Sequence, residues 1–228
     1  MKKRIRDTNE PTQSRHIPTW MAAVLGLAFL LVPAAQGLQG AEPVIGDPQA
    51  GMTKATICAG CHGLDGNSFN PLWPKLAGQQ PSQTLKQLMD FKESRRSDPM
   101  MTGVVAALTD QDMSDIAVWY ASQKILSAGP DPEQAKRGEE LYRYGRSEDG
   151  IIACGSCHNS GGQGYAGGIP GGIPAVGGQH APYALKQLVS FKNGARNNDW
   201  NGVMANITAK LDEEELKALA EYMSGLTR

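Results

Sequence analysis

The sequence has no surplus of charge of either sign, no apolar run of membrane-spanning length, and no cysteine outside a repeated motif. Its 22 lysines and arginines against 23 aspartates and glutamates leave a formal charge of −1, which gives no reason to expect a nucleic-acid partner, one that would call for a basic patch. The apolar run from Met21 to Val32 falls short of the roughly 20 residues that cross a bilayer. No segment sustains the apolar–polar alternation of a half-buried strand, which argues against a sheet and leaves an all-α protein. With 40% hydrophobic and 20% charged residues the composition is globular and not disordered.

What is present begins at the N-terminus. Lys2, Lys3, Arg4, Arg6 and Arg15 precede the apolar run, and the small-residue stretch Pro33 to Ala41 follows it. This is the layout of a secretory signal peptide, residues 1–40, with cleavage expected between Ala34 and Ala41. The rival reading, an uncleaved anchor holding the protein to the outer face of the inner membrane, is weakened by Pro33, Gln36 and Gln39. Arg4 and Arg6 are not adjacent, so no twin-arginine signal is evident and export as an unfolded chain is expected.

The rest of the chain is a doubled unit. GQQPSQTLKQLMDFK (Gly78 to Lys92) lies over GQHAPYALKQLVSFK (Gly178 to Lys192) at an offset of 100, which becomes 103 where LTDQDMSDIAVWY from Leu108 lies over LDEEELKALAEYM from Leu211. Each copy runs through a leading helix (Pro48 to Ala59; Pro132 to Tyr144), a cysteine motif, a Gly/Pro loop, the LKQL helix, a second loop and a closing helix. Thr109 and Asp212 are placed to cap the closing helices, with Asp112 and Glu215 in the capping-box position. The boundaries expected are 47–126 for the first domain, 127–132 (SAGPDP) for the linker and 133–228 for the second. Domains of this size have marginal cores without a disulfide, metal or cofactor.

All four cysteines fall in CAGCH (Cys58 to His62) and CGSCH (Cys154 to His158). A thioredoxin-like pair belongs with a βαβ pattern, which is lacking, and a zinc site built from both pairs would have to bridge a gap far beyond the usual ~15–20 residues. CxxCH has its own logic: two thiols, Cys58 with Cys61 and Cys154 with Cys157, reach the two vinyl groups of one haem, and the next side chain, His62 or His158, becomes the proximal iron ligand. Two covalently bound haem c groups also supply the missing core.

The sequence at this point resembles the two-haem cytochrome c4 family, within the tandem class I cytochromes c. The resemblance is carried by CAGCHGLDGNS (Cys58 to Ser68), PKLAGQ (Pro74 to Gln79), LKQL and FK in both halves, MTG (Met101 to Gly103), LTDQD (Leu108 to Asp112) and GGQH (Gly177 to His180). It implies two all-helical haem domains related by a pseudo-twofold, acting as an electron carrier in a bacterial periplasm. The long basic lead and the glycine-rich GGQGYAGGIPGGIP depart from the family pattern. Gly162, Gly164 and Gly167 satisfy GxGxxG, but with no strand before and no helix at once after them they read as a flexible haem-flanking loop, not a dinucleotide site.

The distal iron position decides between carrier and catalyst. His16 lies in the export segment, and His180 is matched in the first half by Gln80, so it reads as a loop histidine, at the surface or near a propionate. Counting back seven residues from Leu108 and from Leu211 gives Met101 and Met204, the equivalent pair, which also match the family's methionine ligands. Met100 falls opposite Val203 and is left to packing; Trp119 and Tyr222, equivalent on the closing helices, are expected to pack against the leading helices. A thioether favours Fe(II) and raises the potential, which suits electrons from a quinol-oxidising complex, passed on to a terminal oxidase or other acceptor. Pro74 and Pro174 occupy the place where class I cytochromes use a proline carbonyl to hold the proximal imidazole, as the resemblance implies. The rival functions are a haem enzyme (a peroxidase or sulfur-compound oxidase), which calls for an open site or extra ligands, and the cytochrome subunit of a flavin dehydrogenase.

Overall fold

The computed structural model describes residues 43–127 and 129–228; the expected signal segment and its cleavage site lie outside them. Ten α-helices and no strands are found among the described residues, with isolated backbone bridges at Arg146–Ile151 and Tyr165–Ile173.

Helix starts follow from local chemistry. Asp–Pro opens three of them: Asp47 caps α1 (Pro48–Lys54), Asp98 caps α4 (Pro99–Val105) and Asp131 caps α6 (Pro132–Tyr144), each carboxylate accepting from two backbone N–H groups of the first turn. Proline at the first helical position gives up an N–H that would be unpaired anyway. The closing helices α5 (Asp110–Ala121) and α10 (Glu213–Gly225) carry the complete capping boxes expected at Thr109–Asp112 and Asp212–Glu215. The LKQL segments form α3 (Pro81–Lys92) and α8 (Ala181–Lys192).

The first leading helix differs from the sequence reading, and the second matches it. The first leading helix does not run unbroken to Ala59: it stops at Lys54, and α2 (Thr56–His62) starts after Ala55, so the first cysteine motif has its own helix. In the second half a turn and the Arg146–Ile151 bridge separate α6 from α7 (Cys154–His158). Pro132, which also ended the expected linker, is the first residue of α6, where the second leading helix was expected to begin.

In each half the leading helix crosses the closing helix at a glycine. A Cβ on Gly51 would stand 2.1 Å from Asp115 O, and one on Gly138 would stand 2.0 Å from Ala218 O, so only hydrogen lets the two backbones approach. Trp119 and Tyr222 lie at these crossings: the Trp119 Cβ adjoins Gly51 and the Tyr222 ring lies 5.2 Å from Tyr142 on α6.

Two apolar cores result, one per half. The first gathers Leu88, Phe91, Val105, Met113, Ile116 and Tyr120, with Met101 packed against it. The second gathers Tyr142, Leu188, Leu211, Leu216, Leu219 and Met223, with Met204 packed against it. The short helices α4 and α9 (Val203–Thr208) bring each methionine to the edge of its core.

Candidate haem-binding sites

The helical turn places Cys58 and Cys61, and likewise Cys154 and Cys157, three residues apart on one face; all four are of intermediate exposure and none is paired in a disulfide. Each motif helix ends on its histidine, followed by a residue at positive φ, Gly63 at 76° and Asn159 at 65°. That reversal turns the chain under the imidazole.

Both imidazoles are buried, His62 at 7% and His158 at 8% exposure. His62 Nδ1 lies 2.8 Å from Pro74 O and His158 Nδ1 lies 2.9 Å from Pro174 O. A carbonyl only accepts, so Nδ1 carries the proton and Nε2 keeps its lone pair for a metal. Burial lowers both pKa values from the ordinary 6.5, so both rings are neutral at pH 7.

A cavity of about 580 Å³ is shared by the two halves, lined by Cys58, His62 and Met101 from one and Cys154, His158 and Met204 from the other. Three features of it fit haem. Among the described residues no group of three or more His, Cys, Asp or Glu side chains could hold a metal, whereas one imidazole and one thioether per half suit an iron whose other ligands come with a macrocycle. The Thr84 hydroxyl, on the cavity wall, is buried with no hydrogen-bond partner among the described residues. At the seam Arg96 and Arg196 share the amide oxygens of Gln87 and Gln187 at 2.8–3.1 Å, a cationic pair suited to the porphyrin's carboxylates. Burial, and then the Arg96 charge, push the Arg196 guanidinium down to about 9.

Several contributors escaped the sequence reading. Asp98 Oδ1 accepts from Met101 N at 3.2 Å, and Asp199 Oδ2 accepts from Met204 N at 2.8 Å; an acidic residue three or five positions before the methionine was the available signal. Two tyrosines hold the carbonyl just past each motif histidine, Tyr120 to Gly63 O at 3.4 Å and Tyr142 to Asn159 O at 2.7 Å. They come from non-equivalent helices, α5 and α6, so the repeat could not pair them.

Three expectations are corrected. Met100 is not core packing: it is 56% exposed, on the rim of the cavity. The glycine-rich loop is pinned by Tyr165 N to Ile173 O at 2.9 Å and the reverse bond at 2.7 Å, with Gly164 N donating to His158 O. His180 is not a bare surface residue: it is half-buried and its Nε2 lies 2.9 Å from Ser68 O in the other half.

Histidine, methionine and a cysteine pair on a helical scaffold, built twice around a shared cavity, define a c-type haem protein with two centres. The cytochrome c family model matches residues 50–124 and again 135–227. Cytochrome c4 of Thiocapsa roseopersicina is 46% identical over 193 residues, covering 84% of this chain and 99% of that one. The crystal structure of reduced recombinant cytochrome c4 from Pseudomonas stutzeri superposes with a TM-score of 0.76 at 42% identity, covering 80% of this chain and 100% of that one. A protein named thiosulfate dehydrogenase electron acceptor, from Stutzerimonas stutzeri strain A1501, is 32% identical over 210 residues, covering 87% of this chain and 91% of that one. The chain belongs to the cytochrome c4 family: a dihaem electron-transfer cytochrome with two covalent haem c groups.

Proposed function

We propose that this cytochrome is exported to the periplasm and carries electrons from a quinol-oxidising complex to a terminal oxidase or another acceptor, without catalysis of its own. In this reading Cys58, Cys61, Cys154 and Cys157 form the thioethers, His62 and His158 are the proximal ligands, Met101 and Met204 the distal ones, and Pro74 and Pro174 orient the imidazoles. Bound haem supplies a one-electron Fe(III)/Fe(II) couple. The observation that carries the reading is the pairing in one cavity of a neutral imidazole and a methionine thioether in each half. Such a donor pair closes the iron to small molecules and leaves outer-sphere transfer.

The oxidised protein is expected to show the weak far-red methionine-to-iron band with an intensity matching two haems. Absence of that band, or rapid peroxide turnover by the resting protein, overturns the axial assignment. Among the described residues no helix is long and apolar enough to cross a membrane, so any tether is expected from residues 1–40. The similarity to a thiosulfate dehydrogenase electron acceptor supports a second donor, a thiosulfate-oxidising enzyme. Stopped-flow reduction by each purified donor separates the two.

A further inference from the structure

The peptide unit joining Pro74 to Lys75 makes two hydrogen bonds in opposite directions. Its carbonyl accepts from His62 Nδ1 at 2.8 Å, and its N–H donates to Gln179 Oε1 at 2.9 Å. Gln179 belongs to the other half. The unit joining Pro174 to Ala175 repeats this in mirror fashion, with its carbonyl on His158 Nδ1 and its N–H donating to Gln79 Oε1, both at 2.9 Å. Each glutamine Nε2 also donates to the carbonyl of the same neighbour, Gln179 to Lys75 O at 3.0 Å and Gln79 to Ala175 O at 2.9 Å. The amide orientation is fixed, because a backbone N–H only donates and Oε1 must face it. Each Oε1 accepts in addition from the next residue of its own chain segment, Gln80 N or His180 N, at 3.0 Å. The side chain is therefore held at the start of its own helix and presented to the other half.

We propose that Gln79 and Gln179 are positioning residues that act crosswise, each tuning the iron of the opposite half through the peptide unit on which that half's imidazole rests. The inference depends on the reading of His62 and His158 as proximal ligands. A peptide whose N–H donates becomes more polarised, and its carbonyl a stronger acceptor. A stronger acceptor on Nδ1–H raises the basicity of Nε2 toward the metal, and a more basic ligand favours Fe(III) and lowers the potential. A glutamine that merely joined the halves would show no such direction.

The test is a redox titration of the full two-haem protein followed by paramagnetic proton NMR, which resolves the haem methyl signals of each half. Gln179→Leu removes the acceptor from Lys75 N–H, and the first haem is expected to move to higher potential by about threefold in its one-electron equilibrium constant, ~28 mV at 59 mV per tenfold, with the second unmoved. Gln79→Leu is expected to do the reverse. Gln179→Glu keeps an acceptor in place and makes it stronger, so the first haem moves to lower potential, and by more than the second; this variant decides the matter if the leucine variant fails to load haem. Shifts confined to the half that carries the substitution, equal shifts in both haems, the same sign for Leu and Glu, or no shift overturns the proposal. Absence of low-spin histidine–methionine signals in the parent protein overturns the ligation reading and the crosswise effect with it, and differs visibly from intact signals with unmoved potentials.

Discussion

Met100 and Met101 are neighbours in sequence and unlike in position: Met100 is 56% exposed, whereas Met101 packs on the first core with its N–H held by Asp98. Met101→Ala is expected to let cyanide or carbon monoxide bind the first haem, read as a spectral change equal to half the haem content; Met100→Ala is expected to leave ligand exclusion intact. Asp199→Ala, which frees Met204 N–H, should lower the temperature at which the methionine band of the second haem is lost, by removing a capping interaction of about 1 kcal/mol. The repeat register distinguishes the two methionines because equivalence survives in the chain itself. It sets Gln79 opposite Gln179 but says nothing of what either touches, nor of Tyr120 or Tyr142, whose partners lie elsewhere in the sequence and whose roles exist only once helices have packed. Met100 was misread because opposite Val203 it looked like apolar filler; Val203 is itself 38% exposed.

Among the elements, the crossings of α1 with α5 and of α6 with α10 leave no room for a side chain at Gly51 or Gly138. Gly138→Ala would set a methyl against Ala218 O, and overpacking of this kind costs about 1–3 kcal/mol; a fall in the denaturant midpoint with unchanged slope checks it. The first crossing also carries charge: Lys54 Nζ lies 2.7 Å from both Asp112 and Asp115, and the bond from Lys54 is the leading cause holding both carboxyls below the usual range. A folded pKa depressed below the unfolded value of ~3.9 gives stability that is present above that value and lost as the pH falls through the folded one. The stability difference between the parent and Lys54→Met is thus expected at neutral pH and should shrink steadily in acid below about pH 4, as followed by circular dichroism. Helix type and capping were legible at this scale because Asp–Pro and capping-box residues act within one turn. The break at Ala55 and the bridge at Tyr165 were not, since both answer to how the chain must turn around the site.

For the whole molecule, two cytochrome c units and their haem content were readable from the CxxCH motif and its duplication, and the seam between them was not. Intact mass of the exported protein is expected to report a chain beginning between residues 35 and 41 plus two haems. A mass retaining the first 40 residues would identify the anchored form. The seam contains reciprocal pairs, Gln79 with Ala175 and Gln179 with Lys75, a near-equivalent pair, Gln80 Nε2 to Gln163 O at 2.9 Å and His180 to Ser68, and one-sided bonds such as Lys86 Nζ to Asn198 O at 2.8 Å.

Such reciprocity is the geometry of an isologous homodimer, in which one patch meets its own copy. The linker then contributes chiefly a high local concentration of one half about the other. Cutting at a protease site inserted between Ser127 and Pro130 should leave the halves associated and both haems in place, and they should come apart on dilution rather than on cleavage.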